Sequence, residues 1–472
     1  MKITIKNTAL SILLIGIGLI SSCTKEDSTP DGIASVTTTS PIKVDDSTYT
    51  LGGNVTDQGS SSVTECGVAI ALTTNPVVND PDGVTIPIAA GVGTFSTNIA
   101  PFAAGYIYHV RAYAKNSEGI AYGSDVVINT GASTSSCDTV DINSNINVPT
   151  TWVAGKVYMV RTWVNVNAPL VIEAGTIIKF KDANCGMEVY AKITANGTAS
   201  NPIIFTSYKD DSYCGDNNGD GNASTPSKGD WGRLTMRGDQ HGSLFSYCKF
   251  LYGGGAGNGV VYADAGTGNI HDFTFDHCTI AHTYGTNSYT TAAFSGGSMN
   301  DESISVLTNN IFYDNAIPIF IQAKYGLDAS NSYHNPDNAS EKNKYNGIFV
   351  YGGGLGGRTV VYGETEVPYV FNVGGNGSLY VGSSDYLKIN PNVILKFGQT
   401  SGGVDLGDYK ANANIDASVI FTSYRDDARG GDTNGDGNTS LPATGDWNGY
   451  GYYTTGHGSY VWVQSNVFYD SH

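Results

Sequence analysis

Phe205-Thr206-Ser207-Tyr208-Lys209-Asp210-Asp211 returns 216 positions later as Phe421-Thr422-Ser423-Tyr424-Arg425-Asp426-Asp427, and this pair of heptads decides how the chain is built. Gly229-Asp230-Trp231 returns as Gly445-Asp446-Trp447 at the same offset, and Lys179-Phe180 returns as Lys396-Phe397 one position further on. Val148-Pro149 maps to Val367-Pro368, so a unit of about 216 residues has been copied: copy one covers about residues 148–366 and a partial copy two about 367–472. A finer interval runs inside copy one. Phe245-Ser246-Tyr247-Cys248-Lys249-Phe250, Phe275-Asp276-His277-Cys278-Thr279-Ile280 and Leu307-Thr308-Asn309-Asn310-Ile311-Phe312 align at spacings of 30 and 32 residues, and Val463-Gln464-Ser465-Asn466-Val467-Phe468 is a further version. Short strands recurring at such an interval are the pattern of a coil-by-coil solenoid, because one coil cannot bury its own apolar face and needs a neighbour stacked on it. Equivalent residues then form ladders with a rung every ~4.8 Å. His277 falls in one ladder with Tyr247 and Asn309, which favours packing over catalysis for this histidine, and Cys248 falls beside Cys278.

The whole chain has 472 residues, with 25 Lys and Arg against 43 Asp and Glu, a net charge of −18. Only 14% of residues are charged, while Gly numbers 60 and Tyr 30, a balance that belongs to turn-rich all-β chains. A hydrophobic share of 40% is enough for a large core and excludes global disorder. Nucleic acid is excluded as a partner: a duplex needs a basic stripe that displaces counterions, and these few cations are diluted among acids.

At the N-terminus Lys2 and Lys6 precede an apolar run from Ala9 to Ile20 and the small-residue site Ile20-Ser21-Ser22-Cys23, which together read as an export signal over 1–22. The run is too short to span a bilayer. Ile-Ser-Ser-Cys resembles the lipobox of bacterial lipoproteins, which implies that Cys23 is acylated and becomes the first residue of the mature chain. Residues 23–32 form an acidic tether. Its Thr24-Lys25-Glu26-Asp27 is similar to the tag that sends lipoproteins of one Gram-negative phylum across the outer membrane. The resemblance implies a lipid-anchored protein of the outer membrane facing the extracellular side, attached through its acyl chains.

From 33 to 131, short β-rich runs alternate with Gly, Asn, Asp and Ser clusters, the spacing of a small sandwich. Tyr106-Ile107-Tyr108-His109-Val110-Arg111-Ala112-Tyr113-Ala114-Lys115-Asn116, followed by Gly119 and Tyr122-Gly123, resembles the last hairpin of fibronectin type III domains, which are spacers and binding modules. Cys66 has no partner candidate there and reads as a buried thiol. A linker over 132–137 follows. Val171-Ile172-Glu173-Ala174-Gly175-Thr176-Ile177-Ile178-Lys179-Phe180 and Pro202-Ile203-Ile204-Phe205-Thr206 resemble right-handed parallel β-helices of the pectate-lyase-like class, over 138–472. The expected fold is therefore all-β, a fibronectin type III-like sandwich followed by a right-handed parallel β-helix with an internal duplication. An exported location permits disulfides; Cys248 with Cys278 and Cys185 with Cys214 are the candidate pairs, with a ladder of free thiols the alternative for the first.

Each copy carries an acidic loop between its Phe-Thr-Ser and Gly-Asp-Trp elements. Asp216-Asn217-Asn218-Gly219-Asp220-Gly221 and Asp432-Thr433-Asn434-Gly435-Asp436-Gly437 both fit the spacing of a calcium loop, in which oxygens at alternate positions converge and glycine allows the reversal. The expected ligands are Asp216, Asn218, Asp220 and Asp230, then Asp432, Asn434, Asp436 and Asp446, with Asp210, Asp211, Asp426 and Asp427 as additional donors. Two calcium ions are implied. The bidentate Glu of an EF-hand is missing, since Ser227 and Ala443 stand in its place.

Arg237-Gly238-Asp239 matches an adhesion tripeptide, but copy two has Tyr453-Thr454-Thr455 there, which argues against that use. A lyase on such a fold needs clustered Lys or Arg to take a proton next to a uronate, and a hydrolase needs two facing carboxylates. Arg233, Arg237, Asp239 and His241 are the nearest approach to such a cluster, with Arg237, Asp239 and His241 as the candidate catalytic residues, and copy two keeps only the histidine, as His457. The sequence therefore points to a non-catalytic surface module that binds a glycan or an outer-membrane protein complex, with a polysaccharide lyase or hydrolase as the alternative. Copy two stops soon after its Val467-Phe468 strand, so an open last coil with a partner on it is expected.

Overall fold

The structure is a computed structural model that describes residues 32–44, 48–80, 83–102, 106–130, 137–221, 223–237, 242–263, 272–297, 299, 305–371, 377–398 and 400–472. The expected export signal over 1–22, Cys23, the expected tether except Gly32, most of the linker, and Asp239 and His241 lie outside the described residues. Among the described residues there is no α-helix; Tyr289–Thr291 and Lys410–Asn412 are single 3-10 turns. The chain divides into two compact units, the described part of Met1–Ser136 with Asp211–Gly215, and Cys137–Asp210 with Asp216–His472.

The first unit holds two antiparallel sheets. Tyr49–Asp57 pairs with Ser35–Thr38, Ile42–Lys43 and Gly93–Ile99 in one. In the other, Ile107–Asn116 pairs with Glu65–Ala71, Gly119–Tyr122 and Val126–Asn129, and Val84–Ala89 lies beyond Glu65–Ala71. Alternation places the buried faces: Tyr49 and Leu51 from one sheet pack with Val68, Ile70, Tyr108 and Val110 from the other. Phe102 sits edge-on to Tyr49 and Tyr108 at ring distances of 5.5 and 4.9 Å. Cys66 is a buried free thiol, and burial pushes it up from its ordinary value.

The second unit is built from parallel ladders. Seven strands from Asp138–Ile142 to Ile311–Tyr313 form the first, six from Thr150–Trp152 to Val306–Thr308 the second, and ten from Trp163–Val166 to Ile420–Ser423 the third. A five-stranded ladder then starts at Gly353–Gly354 and a three-stranded one at Thr359–Tyr362. Strands this short cannot hold themselves, so the core is made between rungs. Phe180 stacks on Trp231 at 4.1 Å, and their copies Phe397 and Trp447 stack at 4.6 Å.

The copies are not in phase. Ile177–Phe180 and Ile203–Ser207 belong to the first ladder, whereas their counterparts Ile394–Phe397 and Ile420–Ser423 continue the third. Copy two therefore stacks on copy one after a shift of one face.

The turn ladder expected at His277 is present. Tyr247, His277 and Asn309 take φ of 49°, 54° and 57°, and the first two rings stack at 4.6 Å. A second ladder, Tyr252, His282 and Asp314, repeats this geometry with φ of 64°, 56° and 51°. The cysteines correct the sequence reading. Cys185, Cys248 and Cys278 are buried free thiols, so neither candidate pair forms, while Cys137 and Cys214 are disulfide-bonded. The Cys248 and Cys278 thiols each point to a backbone carbonyl of the preceding rung, Ala195 at 3.5 Å and Phe245 at 3.4 Å. Near residue 472, Tyr460–Trp462 pairs antiparallel with Gly449–Tyr453, and Val467 bridges to Phe421.

Candidate functional site

The copied heptads explain how the acidic loops close. Thr206 and Thr422 are fully buried on their strands, and their hydroxyls donate to Asp210 at 2.5 Å and Asp426 at 2.6 Å. The next residues reach the far end of each loop, Ser207 donating to Asp230 at 2.7 Å and Ser423 to Asp446 at 2.5 Å. Lys209 and Arg425 add ion pairs to the same two acids at 2.8 and 3.0 Å. Asp230 and Asp446, together with Asp210 and Asp426, thus act as clamps that tie the loop to its strand. Beneath each clamp a buried lysine, Lys179 or Lys396, is the rung partner of the threonine. Lys396 donates to the Gly431 carbonyl at 2.6 Å and Thr433 Oγ1 at 3.1 Å. Burial pushes its ammonium down to about 8, opposed by the charges of Asp427, Asp426 and Asp432.

The loop tips hold a different set of acids. Asp432 Oδ1 accepts from the Gly435 and Asp436 amides at 2.6 and 3.3 Å, and its Oδ2 from Gly437 at 2.9 Å. Asp216 accepts from Gly219, Asp220 and Gly221 at 2.6, 3.2 and 2.7 Å in the same pattern. Gly219, Gly221, Gly435 and Gly437 all have φ between 63° and 75°, the left-handed turn that a side chain would resist. Asp220 and Asp436 each accept from the hydroxyl of a serine four residues on, Ser224 and Ser440.

These turns gather three carboxylates. Oxygens of Asp427, Asp432 and Asp436 lie within 4.8 Å of one another, as do those of Asp211, Asp216 and Asp220. Of the sequence-read ligands, Asp216 and Asp220, and Asp432 and Asp436, come together with Asp211 and Asp427; Asn218 and Asn434 adjoin them through hydrogen bonds to Asp220 and Asp436. Asp427 Oδ1 is shut off from solvent with no hydrogen-bond partner. Burial first, then the charge of Asp432, raise its carboxyl from its ordinary value. Asp436 and Asp216 are held below theirs, the first mainly by the Ser440 hydroxyl and the second mainly by the Gly221 amide. Closely grouped carboxylates repel, and a hard dication that takes six to eight oxygens reverses the sign of that interaction.

A third polar group was not legible in the sequence because its members come from separate coils: His282, Asp314 and Glu341. Both Asp314 oxygens are already engaged there, one with Lys228 at 2.7 Å and the other with His282 at 2.7 Å.

The outward face of the ten-stranded ladder carries a groove of about 220 Å³. Tyr262, Tyr289, Phe320 and Tyr351 supply its aromatic walls, and Thr290, Ser295 and Gln322 its polar groups. Alternation produces this row: Tyr262, Ser295 and Phe320 are successive rung partners, as are Gln322 and Tyr351. Tyr289 lies 4.8 Å from Phe320, ring to ring. No described lining residue is an acid or a base. Further along the same row Glu188 pairs with Arg237 at 3.3 Å and accepts from the Tyr190 hydroxyl at 2.8 Å. Arg237, the one described member of the catalytic candidates, is thus held by a carboxylate. Compared with known protein families, with curated proteins and with solved structures, the chain has no match.

Proposed function

We propose that the protein is a non-catalytic, calcium-braced module that holds a neutral glycan on the aromatic groove of its ten-stranded ladder. In this reading the first unit is a fibronectin type III-like spacer, the second a right-handed parallel β-helix, and acylated Cys23 anchors both to the outer membrane on its extracellular side. The groove carries the reading. Flat tyrosine and phenylalanine faces take the C–H side of a sugar ring, Gln322, Ser295 and Thr290 take its hydroxyls, and the described lining has no charge to bind or activate a uronate. The acidic loops serve as braces, since Asp211, Asp216 and Asp220, and their copies, offer grouped oxygens to calcium.

The test incubates the purified mature chain with calcium and a polysaccharide panel, following binding heat, unsaturated products and new reducing ends. The reading expects heat with a neutral glycan, no product, and loss of binding in Tyr351→Ala. Turnover of any polysaccharide would favour the lyase or hydrolase instead. Binding that survives Tyr351→Ala and Tyr262→Ala together would place the ligand elsewhere, on a protein partner's surface or another face.

A further inference from the structure

Tyr333 and Glu364 lie where copy one gives way to copy two, and their exposures are 0% and 1%. Each has one oxygen with no hydrogen-bond partner, Tyr333 Oη and Glu364 Oε2. The other carboxyl oxygen, Glu364 Oε1, is served by the Thr365 and Glu366 amides, both at 2.8 Å. The Glu364 amide donates to the Tyr369 hydroxyl at 3.3 Å, which in turn donates to the Leu327 carbonyl at 2.9 Å. The junction is therefore sewn from Leu327 through Tyr369 to Glu364. Glu366 and Asp328 are the charged groups acting on the carboxyl, and both are acids. Glu366 is itself tied to His334 at 2.7 Å. Leu327, Asp328 and Gly363 also line a cavity of about 270 Å³ beside this junction.

We propose that Glu364 is a proton-operated joint between the two copies: uncharged it closes the junction, and on losing its proton it loosens segments 325–328 and 364–369. A neutral carboxyl can donate from Oε2, which an ionised one cannot, and an ionised one leaves a buried charge facing two more negative groups. Burial, the larger cause, and the neighbouring acids Glu366 and Asp328 push the carboxyl up from 4.5 to about 7. The folded junction thus keeps a proton that the opened one has lost, so its stability falls as pH rises towards neutrality and levels off above it.

Hydrogen–deuterium exchange on the full chain, corrected for intrinsic exchange, tests this. Opening of 325–328 and 364–369 should rise about tenfold between about pH 6 and about pH 8, while strand Ile177–Phe180 stays unchanged. Glu364→Gln should remove the pH dependence. A wild-type junction with no pH dependence, or a Gln variant that keeps it, overturns the proposal. Should that variant fail to fold, the infrared spectrum of the wild-type chain decides. A protonated-carboxyl band fading near neutral pH, still present in a Glu366→Gln control with its midpoint lowered, supports the joint, and absence of any such band above about pH 6 overturns it.

Discussion

The two acidic loops leave different ladders, the first from Ile203–Ser207 and the second from Ile420–Ser423, and close in the same way. Their threonines, serines and clamp acids make matching hydrogen bonds, and their tips gather matching carboxylates. The attachments around them differ. Cys214 is disulfide-bonded where copy two has Gly430 at φ 77°, and the Asn217 amide is buried without a partner where Thr433 receives Lys396. The heptad therefore carries its own clamp, whichever face it springs from, and each copy has fitted that clamp to its surroundings separately.

The largest effect should come from the clamp. Asp426→Ala strips the buried Thr422 hydroxyl of its acceptor and Arg429 of its 2.9 Å ion pair, at a cost of about 3 kcal/mol in chemical denaturation. Asp210→Ala should cost a similar amount through Thr206; a large loss in one copy alone would break the equivalence. Next come the tips: Asp432→Asn and Asp216→Asn should each remove one calcium ion from the titration and leave the other site intact.

Asp427→Asn should change sign with conditions. In chelator it raises the melting temperature, because a disfavoured charge is gone; in calcium it lowers it, because a ligand is gone. The raised Asp427 carboxyl also sets a pH direction, since its proton is held more tightly in the folded loop than in the unfolded chain. Its contribution therefore weakens the calcium-free fold as pH rises from the ordinary carboxylate value towards the raised one, and Asp427→Asn should abolish that slope. The smallest effect belongs to Arg425→Ala, whose exposed ion pair with Asp446 contributes under ~1 kcal/mol.

Much of this was legible because repeated residues make repeated contacts. The spacing of Tyr247, His277 and Asn309 announced a ladder, and the structure stacks Tyr247 on His277 with all three in one turn conformation. The recurring interval announced rungs, and Phe180 with Phe397 sit in equivalent stacks. The phase shift between the copies was not legible, since an interval fixes which residues are equivalent but not which face receives them. Nor was the division of labour among the loop acids. Asp210 and Asp211 are neighbours of the same type, and only the strand hydroxyls of Thr206 and Ser207 decide which acids are drawn into clamps. The groove was not legible either, because Tyr262, Phe320 and Tyr351 belong to separate coils and meet only through register. Nor was Cys137, the last residue of the linker, legible as a disulfide cysteine, since it lies outside the repeated pattern.

Calorimetric titration of the chelator-treated mature chain with calcium tests the central claim most directly. Two sites should fill, with a calcium-dependent rise in melting temperature, and Asp216→Asn with Asp432→Asn together should abolish both. No calcium heat and no shift in melting temperature, or full binding in the double variant, would contradict the account.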